Sequence, residues 1–133
     1  MASRKAKSIN GHVTTTEYRL KNNKMVYDAK VLVGADNHSH SLPDYSHSPN
    51  SIYIKENSDG TFREMRIYDS SGFPIVEIAY HPEAQLTGSR SGCVLHYHTF
   101  KPDLGRHPAV KLSPFENGDL YEKYRKYLKE YGL

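Results

Sequence analysis

The residues of this chain best suited to chemistry are His81, His96 and His98, which arrive in one stretch with Arg66 and Glu77. Imidazole changes charge near neutral pH, so it can both take and give a proton under working conditions. In an extended chain alternate side chains point to opposite faces. Over Phe62 to Phe100 that alternation gathers Met65, Ile67, Val76, Ile78, Tyr80, Cys93, Leu95 and Tyr97 on one face. It gathers Glu64, Arg66, Tyr68, Glu77, His81, His96 and His98 on the other. The first set reads as a core and the second as a site. Cleaving a phosphodiester at a ribose needs a base for the 2′-hydroxyl, an acid for the leaving oxygen and a cation for the charge that develops on phosphate. His96 and His98, with His81 beside them, would supply acid and base; Arg66 would be the cation, and Glu77 would orient an imidazole or act as the base. Tyr68, Arg90, Arg106 and His107 are expected to contact the substrate. This chemistry calls for no metal and no cofactor.

Two other classes fit the same residues. One is a module that captures a nucleotide or a protein without transforming it, since aromatics with Arg and His around a pocket serve binding equally well. The other is a metal site, because His81, His96 and His98 resemble the facial histidines of cupin-like proteins. The acidic ligand of that pattern is missing at its usual step, and Asp103, in a Pro/Gly loop, is the only substitute. A second metal-capable set lies in the loop-like segment 34–50, where His38, His40 and His47 accompany Asp36 and Asp44. Cys93 stands alone, which excludes an internal disulfide framework and the usual thiolate zinc sites; it is expected to be buried on the core face.

The elements that must position these groups follow from pattern. The chain has 133 residues, one domain's worth, and a mean hydropathy of -0.74, with no apolar run near the ~20 residues of a membrane span. Its basic N-terminus is not followed by an apolar segment, so neither a secretory signal nor an anchor is expected. Residues 1–11 are expected to be a flexible basic arm, and residues 12–133 a single domain. Val13 to Arg19 reads as a strand, and Lys21 to Lys24 as the turn into a second strand, Met25 to Val33. Asn57 to Gly60 and Asp69 to Gly72 are hairpin turns, each ending on the glycine that supplies positive φ. Pro82 to Gly92 reads as a polar loop that carries Arg90. In the last stretch, Leu120, Tyr124, Tyr127 and Leu128 recur at helical spacing, with Asp119 near the start and Lys129 in the last turn. Tyr121 falls off that stripe and could belong to a basic contact surface. The fold class is therefore α+β, a mainly antiparallel sheet built from hairpins with a C-terminal amphipathic helix.

The pattern of Arg66, Tyr68, Asp69 and Gly72, then Ile75 to His81, then His96-Tyr97-His98 and Gly105-Arg106 resembles a domain found in or beside phage minor head proteins and at the ends of polymorphic toxins. About a third of the chain carries the likeness. The family has Asp where Glu77 stands, and a shorter loop, richer in His and Pro, in place of Pro82 to Gly92. The resemblance implies a phage or mobile-element protein in the cytoplasm of a bacterial host, with a nuclease-like role. RNA, a nucleotide or a protein would be its partner.

Overall fold

The structure, a computed structural model, describes residues 17–37 and 40–133, together with the backbone of Lys7–Ile9 and His12–Thr14. β1 (Lys7–Ile9) and β2 (His12–Thr14) pair as a small antiparallel ribbon. The remainder of the arm expected over residues 1–11 lies outside the described residues. The main sheet has seven strands: β3 (Tyr18–Val26), β4 (Ala29–Gly34), β5 (Ile52–Glu56), β6 (Phe62–Tyr68), β7 (Pro74–His81), β8 (Val94–Thr99) and β9 (Val110–Lys111). They lie side by side in chain order, antiparallel throughout except for β4 and β5, which run parallel. A one-turn helix, α1 (Ala84–Thr87), interrupts the path from β7 to β8, and α2 (Gly118–Lys129) closes the fold. The α+β class read from the pattern is the class observed. Among the described residues no helix is long and apolar enough to cross a membrane.

The turns explain the register. Gly60 at φ 87° donates its N–H to Asn57, and Gly72 at φ 87° donates to Asp69, so both expected hairpins form where the glycine permits a left-handed residue. The first hairpin differs from expectation. Asn22 and Asn23 do adopt positive φ, yet they form a bulge within β3, between Leu20 and Met25, and the chain reverses later, at Tyr27 and Asp28. The apparent turn is spent on pushing Lys21 and Lys24 outward, where both reach Glu56.

One face of the sheet packs on α2. Ala29, Val31, Ile54, Met65, Ile78 and Leu128 have essentially no exposure, and Tyr121, Tyr124 and Tyr127 close the layer. Each large aliphatic side chain so buried contributes about 1.5–3 kcal/mol. Tyr121 is thus in the core, not on a contact surface: the helix rolls so that Leu120 is only partly buried. Cys93 departs from expectation too. It is exposed, because β8 starts one residue later and the strand alternation does not reach it.

A parallel pair cannot be joined by a tight turn, and the connection from β4 to β5 instead crosses the second face as a strap. Its own Leu42, Pro43, Tyr45 and Ser46 are buried. The strap is held by the Tyr18 hydroxyl on the Ser41 carbonyl (2.6 Å), the Ser46 N–H on the Gly72 carbonyl (2.9 Å) and an edge-on contact of Tyr45 with Phe73. Tyr18, Leu32, Leu42, Tyr53 and Tyr68 form a second apolar cluster under it.

Candidate functional site

The strand register sets the second face in rows. Arg66 on β6 stands opposite Glu77 on β7, and Glu77 opposite His98 on β8; Glu64, Ala79, His96 and Lys111 form the next row. His81, His96 and His98 are brought together: the ring of His96 lies 4.7 Å from that of His81 and 5.5 Å from that of His98, edge-on in both pairs. The alternation that grouped them in the sequence is the alternation of the strands observed.

All three imidazoles are oriented by backbone. Nδ1 of His96 lies 2.8 Å from the Val94 carbonyl, Nδ1 of His98 lies 2.7 Å from the His107 carbonyl, and Nδ1 of His81 lies 2.9 Å from the Pro82 carbonyl. A carbonyl oxygen can only accept, so Nδ1 carries a proton in each case and Nε2 is the nitrogen left to present a lone pair. For His96 that lone pair is buried with no hydrogen-bond partner. Its ring is fully buried, and this desolvation, reinforced by the neighbouring His81 and His98, lowers its pKa and favours the neutral form.

The group that faces it is one the sequence reading missed. Glu83 caps α1, and its carboxylate reaches to 4.0 Å from Nε2 of His96. Glu83, His96 and His98 place one donor atom each within 4.8 Å of one another. Three atoms at that limiting separation lie about 2.8 Å from their common centre, so an adjustment of about 0.7 Å each would reach the ~2.1 Å of zinc bonds to N and O. The available signal was the spacing His81-Pro82-Glu83, which puts a carboxylate two residues beyond the end of β7. Asp103, the substitute read from the sequence, instead accepts the Gly105 N–H within its own turn (2.8 Å).

The other expected residues take different places. Arg66 is buried, and all three of its guanidinium nitrogens are engaged: Nε and Nη2 donate to Oε2 of Glu77 (2.9 and 2.5 Å), and Nη1 donates to the carbonyls of Leu42 and Pro43 (3.0 and 3.3 Å). Glu77 also accepts from Nε and Nη2 of Arg106 (3.1 and 3.3 Å). Burial alone would raise the Glu77 pKa, but the two guanidinium groups outweigh it and hold the carboxyl below its ordinary range. Arg66 and Glu77 therefore secure the strap to the sheet, and neither offers a substrate cation or a base in this arrangement. Tyr68, expected at the substrate, is buried with its hydroxyl on the Pro43 carbonyl.

Arg106 and His107 do fold back beside the imidazoles. Arg106 is half exposed over the Phe100 ring, and the His107 backbone holds His98. Arg90 is exposed on the loop between α1 and β8. In the strap region, Nε2 of His40 meets the Asp36 carboxylate at 3.1 Å on the surface, His47 is exposed, and His38 lies outside the described residues. Among the described residues, Glu83, His96 and His98 are the one set with metal-ligand geometry. No family model, no curated protein and no solved structure matches this chain.

Proposed function

We propose that the protein binds a divalent transition-metal ion through Glu83, His96 and His98 and uses it for hydrolysis. The observation that carries this reading is the buried Nε2 of His96, which has no partner and faces the Glu83 carboxylate. A buried polar atom left unsatisfied costs about 1–3 kcal/mol, and a metal bond would remove that cost. Rings whose Nδ1–H is tied to a backbone carbonyl are held in the tautomer and orientation that ligation requires. Two imidazoles and one carboxylate suit Zn, Fe or Mn and leave positions open for water and substrate. Such an ion would lower the pKa of a bound water towards neutrality. His81 stands at the edge of the set to pass protons, and Arg106 and Lys111 present positive charge beside it, which favours an anionic substrate such as a phosphodiester.

The test is to strip the full chain with chelator and titrate it with Zn²⁺, Mn²⁺ and Fe²⁺ by calorimetry. One ion per chain is expected, with binding abolished in His96→Ala, weakened at least tenfold in Glu83→Gln and unchanged in His107→Ala. No binding of any of the three at millimolar concentration refutes the metal reading. A metal-independent phosphodiesterase is the second reading, favoured by a buried neutral imidazole next to the part-exposed His98. Products from RNA or cyclic nucleotides that still form in EDTA would establish it. Intact substrate recovered with and without metal would leave neither reading standing.

A further inference from the structure

A cavity of about 500 Å³ opens on the other side of the strap from the imidazoles, within the 300–1,000 Å³ range of small-molecule sites. Its apolar lining is Tyr18, Leu32, Val33 and Leu42, and its cations are Lys21, Lys55 and Arg63. Arg63 is there because of a register shift between β5 and β6: Lys55 pairs with Glu64 and Glu56 with Phe62, so Arg63 is the extra residue and joins Lys55 in lining the cavity.

The charges do not cancel. Glu56, the one carboxylate in the lining, already accepts from Lys21 (2.9 Å), Lys24 (2.5 Å) and the Tyr131 hydroxyl (2.7 Å). Lys55 and Arg63 make no hydrogen bond or ion pair among the described residues. Lys55 stands opposite Glu64 across the strands, but Glu64 is buried and the two make no ion pair. What remains is two unpaired cations at the mouth of a partly apolar cavity.

We infer that this cavity binds a phosphate monoester with a compact apolar body, its dianionic head between Lys55 and Arg63 and its body against Tyr18, Leu32 and Leu42. Two unpaired cations match a dianion better than a carboxylate, and the guanidinium fork matches phosphate oxygens. The volume accommodates a ligand of about mononucleotide size. The inference is independent of the proposed metal site, whose histidines lie on β8, three strand spacings from Lys55 on β5 and two from Arg63 on β6, or roughly 10–14 Å.

The test follows backbone amide shifts of the isotope-labelled full chain during titration with AMP, adenosine and inorganic phosphate in separate arms. The expected result is saturable shifts at Lys21, Lys55 and Arg63 with AMP, and at least tenfold weaker binding of adenosine and of phosphate. Lys55→Gln and Arg63→Gln, both part-exposed and checked for unchanged melting, should each weaken AMP about tenfold or more, the size of one charge-assisted hydrogen bond. A 5′-phosphorylated dinucleotide distinguishes a free ligand from the end of a nucleic-acid strand: comparable binding assigns the cavity to strand ends, and exclusion assigns it to small molecules. The inference is overturned if AMP causes no saturable shift at millimolar concentration, if its shifts centre on His96 and Lys111, or if phosphate alone binds as well as AMP.

Discussion

Replacing Glu77 by Gln leaves Arg66 buried beside a neutral partner and removes the counter-charge that Arg66 and Arg106 share. Breaking a buried ion pair from one side costs about 3–5 kcal/mol, because the surviving charge is stranded in a poorly solvated place. With an unfolding entropy of about 2.1 cal/mol/K per residue over 133 residues, each kcal/mol moves the melting temperature by about 3.6 °C. The variant should therefore melt about 11–18 °C below the parent by calorimetry at pH 7, while Glu122→Gln, in an exposed pair with Arg125, should shift by less than about 2 °C. The pH dependence has a defined sign. The folded pKa of Glu77 is depressed, so its contribution is present above the unfolded value of about 4.3 and is lost as pH falls through the folded value. The gap between parent and variant should hold from pH 7 to 5 and narrow towards pH 3. A melting shift under about 3 °C, or a gap that fails to narrow in acid, would refute the assignment of this pair to the fold. The hydrophobic pair Arg66→Met with Glu77→Leu should recover only part of the loss, because the Leu42 and Pro43 carbonyls would still lack their donor.

Leu128→Ala, at a position with no exposure, should cost about 2–5 kcal/mol in denaturant unfolding. Gly60→Ala meets no atom within 4 Å, so its loss should be the left-handed backbone cost alone, about 1 kcal/mol at unchanged m-value. Cys93 should react with a thiol reagent in the native protein nearly as fast as in denaturant; slow labelling would contradict its exposed position.

The parts of the fold that local pattern dictates were readable in the sequence. Alternation placed Met65, Ile78 and Tyr97 on the core side and the three imidazoles on the other, and Gly60 and Gly72 marked their hairpins. What escaped depends on tertiary choice. Asn22 and Asn23 signal positive φ, but that signal fits a bulge as well as a reversal, and only the pairing of Met25 with Lys30 decides. Polar composition marked the segment before Ile52 as loop, yet Leu42 and Tyr45 are buried because Arg66 and Tyr68 satisfy the carbonyls that cross the sheet. The same dependence on partners put Arg66 and Glu77 into a buried ion pair beside the strap, and it set Glu83 near His96 through a one-turn helix too short to leave a periodic signature.

Because the strands lie in chain order, pairing on the ribosome can proceed strand by strand as the chain emerges. The layer over the core face comes last: Tyr127 reaches back to Asp28 and Tyr131 to Glu56. At about 5–20 residues per second, the interval between completion of β9 and release of α2 is on the order of a second or more. During that interval an apolar sheet face is open to other nascent chains. The histidine face, on the opposite side of the sheet, is already assembled by then, so a chain halted before residue 118 would hold its imidazoles in place while leaving the core face uncovered and prone to aggregate.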